Sequence, residues 1–174
     1  SGYNPLKKFS LDVIPPTEID RVFRMETVHC YVHDQGAAMM GGVSGHAGLF
    51  ANANDVNKIM QVFLQRGFYG GKRYFKPETV DTFNSCYYCQ KGVRRGIGFD
   101  KPQLGSSGPT CGCTSKSSFG HSGFTGTFTW ADPENEIVYV FLSNRTFPDA
   151  ENRLLISSDI RSVIQQAIYD AVDW

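Results

Sequence analysis

The sequence predicts an α+β fold: an antiparallel sheet with helices packed on it. Three observations carry this. Val56, Ile59, Met60, Phe63 and Leu64 recur at helical spacing and make one apolar face. Ile156, Ile160, Val163, Ile164, Ala167, Ile168 and Ala171 do the same near the C-terminus. Between them, residues 127–131 and 137–142 are rich in β-formers and are joined by Asp132-Pro-Glu-Asn-Glu136, which reads as a hairpin. There is no internal repeat.

Composition narrows the function classes. Lys plus Arg total 17 and Asp plus Glu total 17, so the formal charge is zero, and no basic run exceeds two residues. A nucleic-acid binder normally shows a basic face, so no nucleic-acid partner is expected. No apolar run approaches the ~18 residues of a membrane span. The 174 residues suit a single domain over 1–174. The first residues, Ser1-Gly-Tyr-Asn-Pro-Leu6, have neither a signal peptide's pattern nor an initiating Met, so a cut from a longer chain is expected.

In chain order, residues 1–20 form an irregular lead-in with Pro5, Pro15 and Pro16, and Thr17-Glu-Ile-Asp20 is expected to start a turn of helix. Residues 21–33 favour extended structure. Residues 34–49 form a glycine-rich connector. Asn52 is a candidate N-cap for the first amphipathic helix, with Asp55 three residues on, and Gly67 a candidate stop. Tyr69-Gly-Gly-Lys72 predicts a turn and residues 73–75 a very short strand. Pro77 opens a second helix that runs to about Asn84. Residues 85–117 are the least regular, with a loop signal in Gly105-Ser-Ser-Gly-Pro109. Arg95-Gly-Ile-Gly-Phe99 is expected to be a strand.

The five cysteines fall at 30, 86, 89, 111 and 113. Cys86-x-x-Cys89 and Cys111-x-Cys113 have three readings: a tetrahedral zinc site, a disulfide cross-link between two loops, or free thiols. Each reading is structural rather than catalytic. On a strand, His29, Tyr31 and His33 would share a face, but a third metal ligand is not evident. His33-Asp34 is expected to pair and fix the connector, and His46 to act as a similar local anchor. Gly42-Val-Ser-Gly-His46 narrowly misses the nucleophile-elbow pattern, so Ser44 is read as a turn residue, with a nucleophile as the alternative. Gly70-Gly-Lys-Arg73 and Gly96-Ile-Gly98 lack the spacing of nucleotide-binding loops.

Residues 118–126 are the centre of the functional reading. Gly120, Gly123 and Gly126 let a ligand or a neighbouring strand approach the main chain, and His121 and Ser122 add polar groups between them. Gly120-His-Ser-Gly-Phe124 resembles the third motif of the serine β-lactamase-like family: a basic residue, then Ser or Thr, then Gly, on an inner strand. Gly45-His-Ala-Gly-Leu-Phe50 leading into a helix, and residues 138–145 before a closing helix, resemble that family as well. The resemblance is strongest to the module that follows family 3 glycoside hydrolases, in which Val32-His-Asp34 and Gly96-Ile-Gly-Phe-Asp-Lys-Pro102 also have counterparts.

The resemblance implies a partial β-lactamase/transpeptidase-like fold, the C-terminal portion of a larger domain. It implies that the Phe124 N–H is an oxyanion donor and that His121 and Ser122 contact substrate or its carboxylate, with Gly123 and Thr125 in the binding strand. It implies no cofactor, a small or cell-wall-derived substrate, and a periplasmic or cell-surface location. The family nucleophile sits in Ser-x-x-Lys. No Lys here has Ser three residues before it, and neither Tyr-x-Asn nor Ser-x-Asn occurs. The expectation is a fragment of a hydrolase without its nucleophile. The alternative is a non-catalytic accessory module on a β-N-acetylhexosaminidase-like glycoside hydrolase. A truncated core face should be exposed and favour self-association.

Overall fold

The computed structural model describes residues 1–103 and 108–172; positions 105–107 of the Gly105–Pro109 loop signal lie outside the described residues. The chain separates into two compact units. One comprises residues 1–52, 124–127 and 142–157, the other residues 53–123, 128–141 and 158–174.

In the first unit, strand β1 (Pro16–Asp20) pairs antiparallel with β2 (Glu26–His29). A helical turn was expected at 17–20; the ladder to β2, side-chain bonds from Arg24 and a tie to residues 144–146 hold the strand found instead. Arg24 donates from Nε to Asp20 (2.8 Å) and from Nη2 to Glu18 (2.9 Å). Its other bonds run to the carbonyls of Val32 (2.6 Å) and His33 (2.7 Å). Asp20 also accepts the N–H groups of Val22 and Phe23, closing the turn between the strands. The Phe23 N–H and the Arg24 guanidinium hold the Asp20 carboxyl well below the usual range. Residues 144–146 tie to β1 through Thr146 Oγ1, which donates to the Thr17 carbonyl at 2.7 Å. The glycine-rich connector contains a helix the sequence reading missed, α1 (Gln35–Met39), N-capped by Asp34. Five residues are too few to show a helical repeat.

The second unit opens with α2 (Ala53–Leu64). Gly67, at φ 88°, stops it, and its N–H returns to the Val62 carbonyl at 2.7 Å. A two-residue hairpin, β3 (Phe68–Tyr69) and β4 (Lys72–Arg73), turns at Gly70-Gly71. Helix α3 (Pro77–Asn84) has Pro at its start, as expected. The segment 95–99 is not a strand. Arg95 and Asp100 form one antiparallel bridge, and the chain doubles back between them with Gly96 N–H on the Phe99 carbonyl. A Cβ on Gly96 would sit 2.6 Å from the Phe83 carbonyl, so this glycine serves a close approach to α3.

The main sheet is β5 (Phe119–Ser122), β6 (Phe128–Asp132) and β7 (Ile137–Phe141), antiparallel and in that order. The period-2 alternation of β6 buries both faces. Ala131 and Phe119 pack against Met60 of α2. Phe128, Trp130 and Tyr139 fill the other face, with Ile168 of the C-terminal helix against them. The single C-terminal helix expected from residue 156 is two: α4 (Leu154–Ser157) in the first unit and α5 (Ile160–Ala171) in the second. Asp159 stands between them at φ 48°, which no helix continues through.

Asp132 closes the β6–β7 hairpin. It accepts from Ser115 N–H (2.9 Å), Ser115 Oγ (2.6 Å), Asn135 Nδ2 (2.9 Å) and Tyr169 OH (2.7 Å). Burial, the largest influence, pushes its carboxyl up, but the donors together outweigh it and hold it below the ordinary range. A depressed folded pKa stabilises above the unfolded value, ~3.9, and that contribution is lost as pH falls through the folded one. Asp132→Asn should therefore cost about 2 kcal/mol at neutral pH, a loss that shrinks below about pH 4. Urea midpoints of both proteins across pH 3–7 check this, and a pH-independent difference would refute it.

Candidate functional site

Gly120 sets the geometry of β5. A Cβ there would lie 2.1 Å from the Thr129 carbonyl oxygen and 2.3 Å from Trp130 Cε3. The Trp130 ring thus covers the α-carbon, and its Nε1–H donates to Ser118 Oγ at 3.0 Å. On the other side, Asp100 N–H donates to the Gly120 carbonyl (2.8 Å), and Gly120 N–H to the Asp100 carbonyl (3.1 Å). An inner strand was expected, but β5 is the outer strand of its three-stranded sheet. The central place goes to β6, whose side chains are the ones buried on both faces.

His121 is half-buried and lies on the β5 face that carries Phe119. Arg95 Nη2 is 2.9 Å from His121 Nε2, and His121 Nδ1 is 2.7 Å from the Ser122 carbonyl oxygen. A guanidinium only donates and a carbonyl only accepts. This network assigns a neutral imidazole with its proton on Nδ1 and its lone pair on Nε2 facing Arg95. Arg95 is in turn held by Asp100, Nε to Oδ1 at 2.8 Å. The positive charge beside the motif therefore belongs to Arg95, whose side chain is 56% exposed. Sequence reasoning missed Arg95; the only available signal was a basic residue five positions before an acid across two glycines.

Ser122 pairs with Phe128 in the ladder, so its side chain and that of His121 leave opposite faces of the strand. Ser122 Oγ makes no hydrogen bond among the described residues. Gly123 is exposed, just past the end of β5.

Phe124 and Thr125 belong to the first unit. The Phe124 ring stacks on His33, with centroids 4.8 Å apart and planes 10° apart, and the Arg145 guanidinium lies 4.4 Å from its centroid. Arg145 Nε donates to the Phe124 carbonyl (2.8 Å), and Arg145 N–H to the Thr125 carbonyl (2.9 Å). Both carbonyls are thus engaged, and Phe124 N–H donates to no described residue.

The remaining candidates sort plainly. Cys86 bonds to Cys89 and Cys111 to Cys113, so each pair closes on itself and the expected cross-link between loops is not made. Cys30 is a buried free thiol. Among the described residues no group of three or more His, Cys, Asp or Glu is arranged to hold a metal. β2 ends at His29, and Cys30 turns the chain at φ 55°, so His29 and His33 do not share a strand face. His33 Nδ1 lies 2.9 Å from Glu18 Oε1 in poor hydrogen-bond alignment, and Asp34 pairs with His46 rather than His33. In the second unit, an apolar cavity of about 350 Å³ is lined chiefly by Phe63, Phe75, Val80, Phe83, Phe99 and Phe119.

With this geometry in view, comparison with known proteins places the chain. The Beta-lactamase family profile matches residues 13–159, and the chain belongs to that family. It is 37% identical over 156 residues to a protein of Escherichia coli K12 named "Putative D-alanyl-D-alanine carboxypeptidase", covering 82% of this chain and 36% of that protein. A Salmonella enteritidis protein of the same name is 37% identical over 163 residues, covering 86% of this chain and 37% of the relative. The chain thus spans little more than a third of these relatives' length. Among solved structures, a β-lactamase from Mycobacterium bovis superposes with a TM-score of 0.55 over 72% of this chain and 46% of that one, at 21% identity. That likeness is one of fold, and it agrees with the partial β-lactamase-like architecture read from the sequence.

Gly120→Ala tests the keystone of this geometry. The added methyl meets backbone and a buried indole, neither of which can swing aside, so a loss of about 3 kcal/mol is expected. Thermal melting measures it; a melting temperature within 1–2 °C of wild type, about 0.5 kcal/mol or less, would show that β5 moves freely.

Proposed function

We propose that this chain is part of a β-lactamase-like serine hydrolase that cleaves an amide or ester bearing a free carboxylate through an acyl-enzyme. The observation that carries the reading is the exposed Arg95 guanidinium, braced by Asp100 and laid against His121 at the edge of β5. A braced guanidinium suits a planar carboxylate, and His121 contributes by orienting Arg95. The relatives' name speaks of D-alanyl-D-alanine, a peptide that ends in such a group. The unengaged Phe124 N–H supports its part as the oxyanion donor.

The acylated serine and its lysine lie outside these 174 residues, so this stretch alone does not carry out the Ser-x-x-Lys reaction. No cofactor takes part. A periplasmic or cell-surface location belongs to the same reading, as does a cell-wall-derived substrate. Leu6, Phe9, Leu11 and Val13 are each about half exposed along one stretch, which supports self-association of the isolated chain.

The test uses the whole gene product with a peptide substrate ending in a free carboxylate and the corresponding neutral amide. Arg95→Ala should lower kcat/KM for the carboxylate form by about 10- to 100-fold, the worth of one charge-assisted hydrogen bond, and leave the neutral form nearly unchanged. Equal losses on both forms would sink the assignment of Arg95. Failure to trap any acyl-enzyme would favour the non-catalytic accessory module instead. Light scattering on the isolated chain should show species larger than a monomer at high concentration, and a clean monomer counts against the exposed face.

A further inference from the structure

In the first unit, three side chains outside the motif strand form a hydrogen-bonded chain. Ser44 Oγ lies 2.6 Å from His46 Nδ1, and His46 Nε2 lies 2.9 Å from Asp34 Oδ1. The direction of the bonds follows from chemistry. The Ala37 N–H donates to the same Asp34 oxygen at 2.7 Å. That donor and His46 hold the Asp34 carboxyl below the usual range, so it is an acceptor only. The proton between His46 and Asp34 therefore belongs to Nε2. In the neutral imidazole Nδ1 is left with a lone pair, and the Ser44 hydroxyl donates to it. This is the nucleophile, base and orienting acid of covalent acyl transfer, with the two ring nitrogens exchanged relative to the usual Ser-His-Asp arrangement.

Two further features show that the arrangement is built and reachable. Gly36 leaves room for the acid–base contact: a Cβ there would stand 3.2 Å from Asp34 Oδ1 and 3.8 Å from His46 Nε2. Gly45, between the serine and the histidine, faces open space, with nothing within 4 Å of where its Cβ would be. The His46 and Asp34 side chains are 55% and 44% exposed. Val43 and Leu49, both about half exposed, give the loop an apolar border.

We propose that Ser44 is a second, independent nucleophile, activated by His46 and oriented through Asp34, that accepts acyl groups from small activated esters with an apolar acyl chain. Ser44 Oγ bonds to the carbonyl carbon while its proton passes to His46 Nδ1. The carbon–oxygen bond to the leaving alcohol breaks, and that proton passes to the departing oxygen. Water then repeats the exchange, releasing the carboxylic acid and restoring Ser44. This site does not depend on the Ser-x-x-Lys reaction proposed above, and the two involve different serines.

The test treats the whole native protein with a fluorophosphonate probe and maps the adduct by tryptic digestion and mass spectrometry. The tryptic peptide 25–58 contains Ser44 as its only serine, so an adduct there is unambiguous, and one on any other serine reports a different site. The expected result is an adduct on Ser44 in native protein, none in urea-unfolded protein, none on this peptide in Ser44→Ala, and labelling at least tenfold slower in His46→Gln. p-Nitrophenyl butyrate should acylate the same residue. An unlabelled Ser44 in native protein, with trypsin labelled under the same conditions, overturns the proposal. So does equal labelling of native and unfolded chains. Both of these outcomes are read on the wild-type protein and stand even if a variant fails to fold.

Discussion

An indole laid across a bare α-carbon organises the larger unit. Trp130 occupies the space that a side chain at residue 120 would need, and Ser118 satisfies its buried N–H. An unsatisfied indole N–H in that interior would cost about 1–3 kcal/mol, so the two contacts belong together. They hold β5 flat against β6 in one register. A one-residue slip would send Phe119 and His121 to the opposite face, and the large side chains of β6 forbid it.

Consequences run outward from that register. With Gly120 pinned on its inner side, its outer amide and carbonyl pair with Asp100. Pairing at residue 100 brings the Asp100 carboxylate under Arg95, and Arg95 in turn reaches His121. An exposed cation is thereby set on a rigid strand edge by a chain of backbone and side-chain bonds rather than by a mobile loop. The first unit uses charge differently. Arg24 has its donors absorbed by two carboxylates and two carbonyls and serves only to fold the β1–β2 ribbon. What separates the two arginines is exposure: the Arg24 side chain is 12% exposed, that of Arg95 56%. A buried guanidinium spends its donors on its own chain, whereas an exposed one keeps some for a ligand.

Legibility followed the range of the interactions. The first amphipathic helix, the Pro77 helix and the 128–141 hairpin were readable because periodicity, a proline start and turn residues act locally. The strand at 16–20 was misread, since its ladder to β2 and its tie to residues 144–146, distant in sequence, hold it extended. The 95–99 stretch was misread because Gly96 admits close approach to α3, which local pattern cannot distinguish from extension. At the motif, His121 and Ser122 stood out as residue types, and their opposite directions follow from the two-residue repeat of a strand, whereas the contact of His121 with Arg95 needed the folded chain.

The order of residues alone determined the class of fold, the family to which the chain belongs and the glycine-framed strand. Each of these rests on local patterning that survives without any long-range contact. Tertiary structure decided that β5 lies outside β6, that Arg95 rather than His121 carries the positive charge, and that Ser44, His46 and Asp34 meet. Those outcomes depend on hydrogen bonds and ring contacts between residues up to 26 apart in sequence. Ser44 and His46 are near neighbours in sequence, but Asp34 stands 12 residues from His46 and His121 stands 26 from Arg95, and only the folded chain brings these within bonding distance.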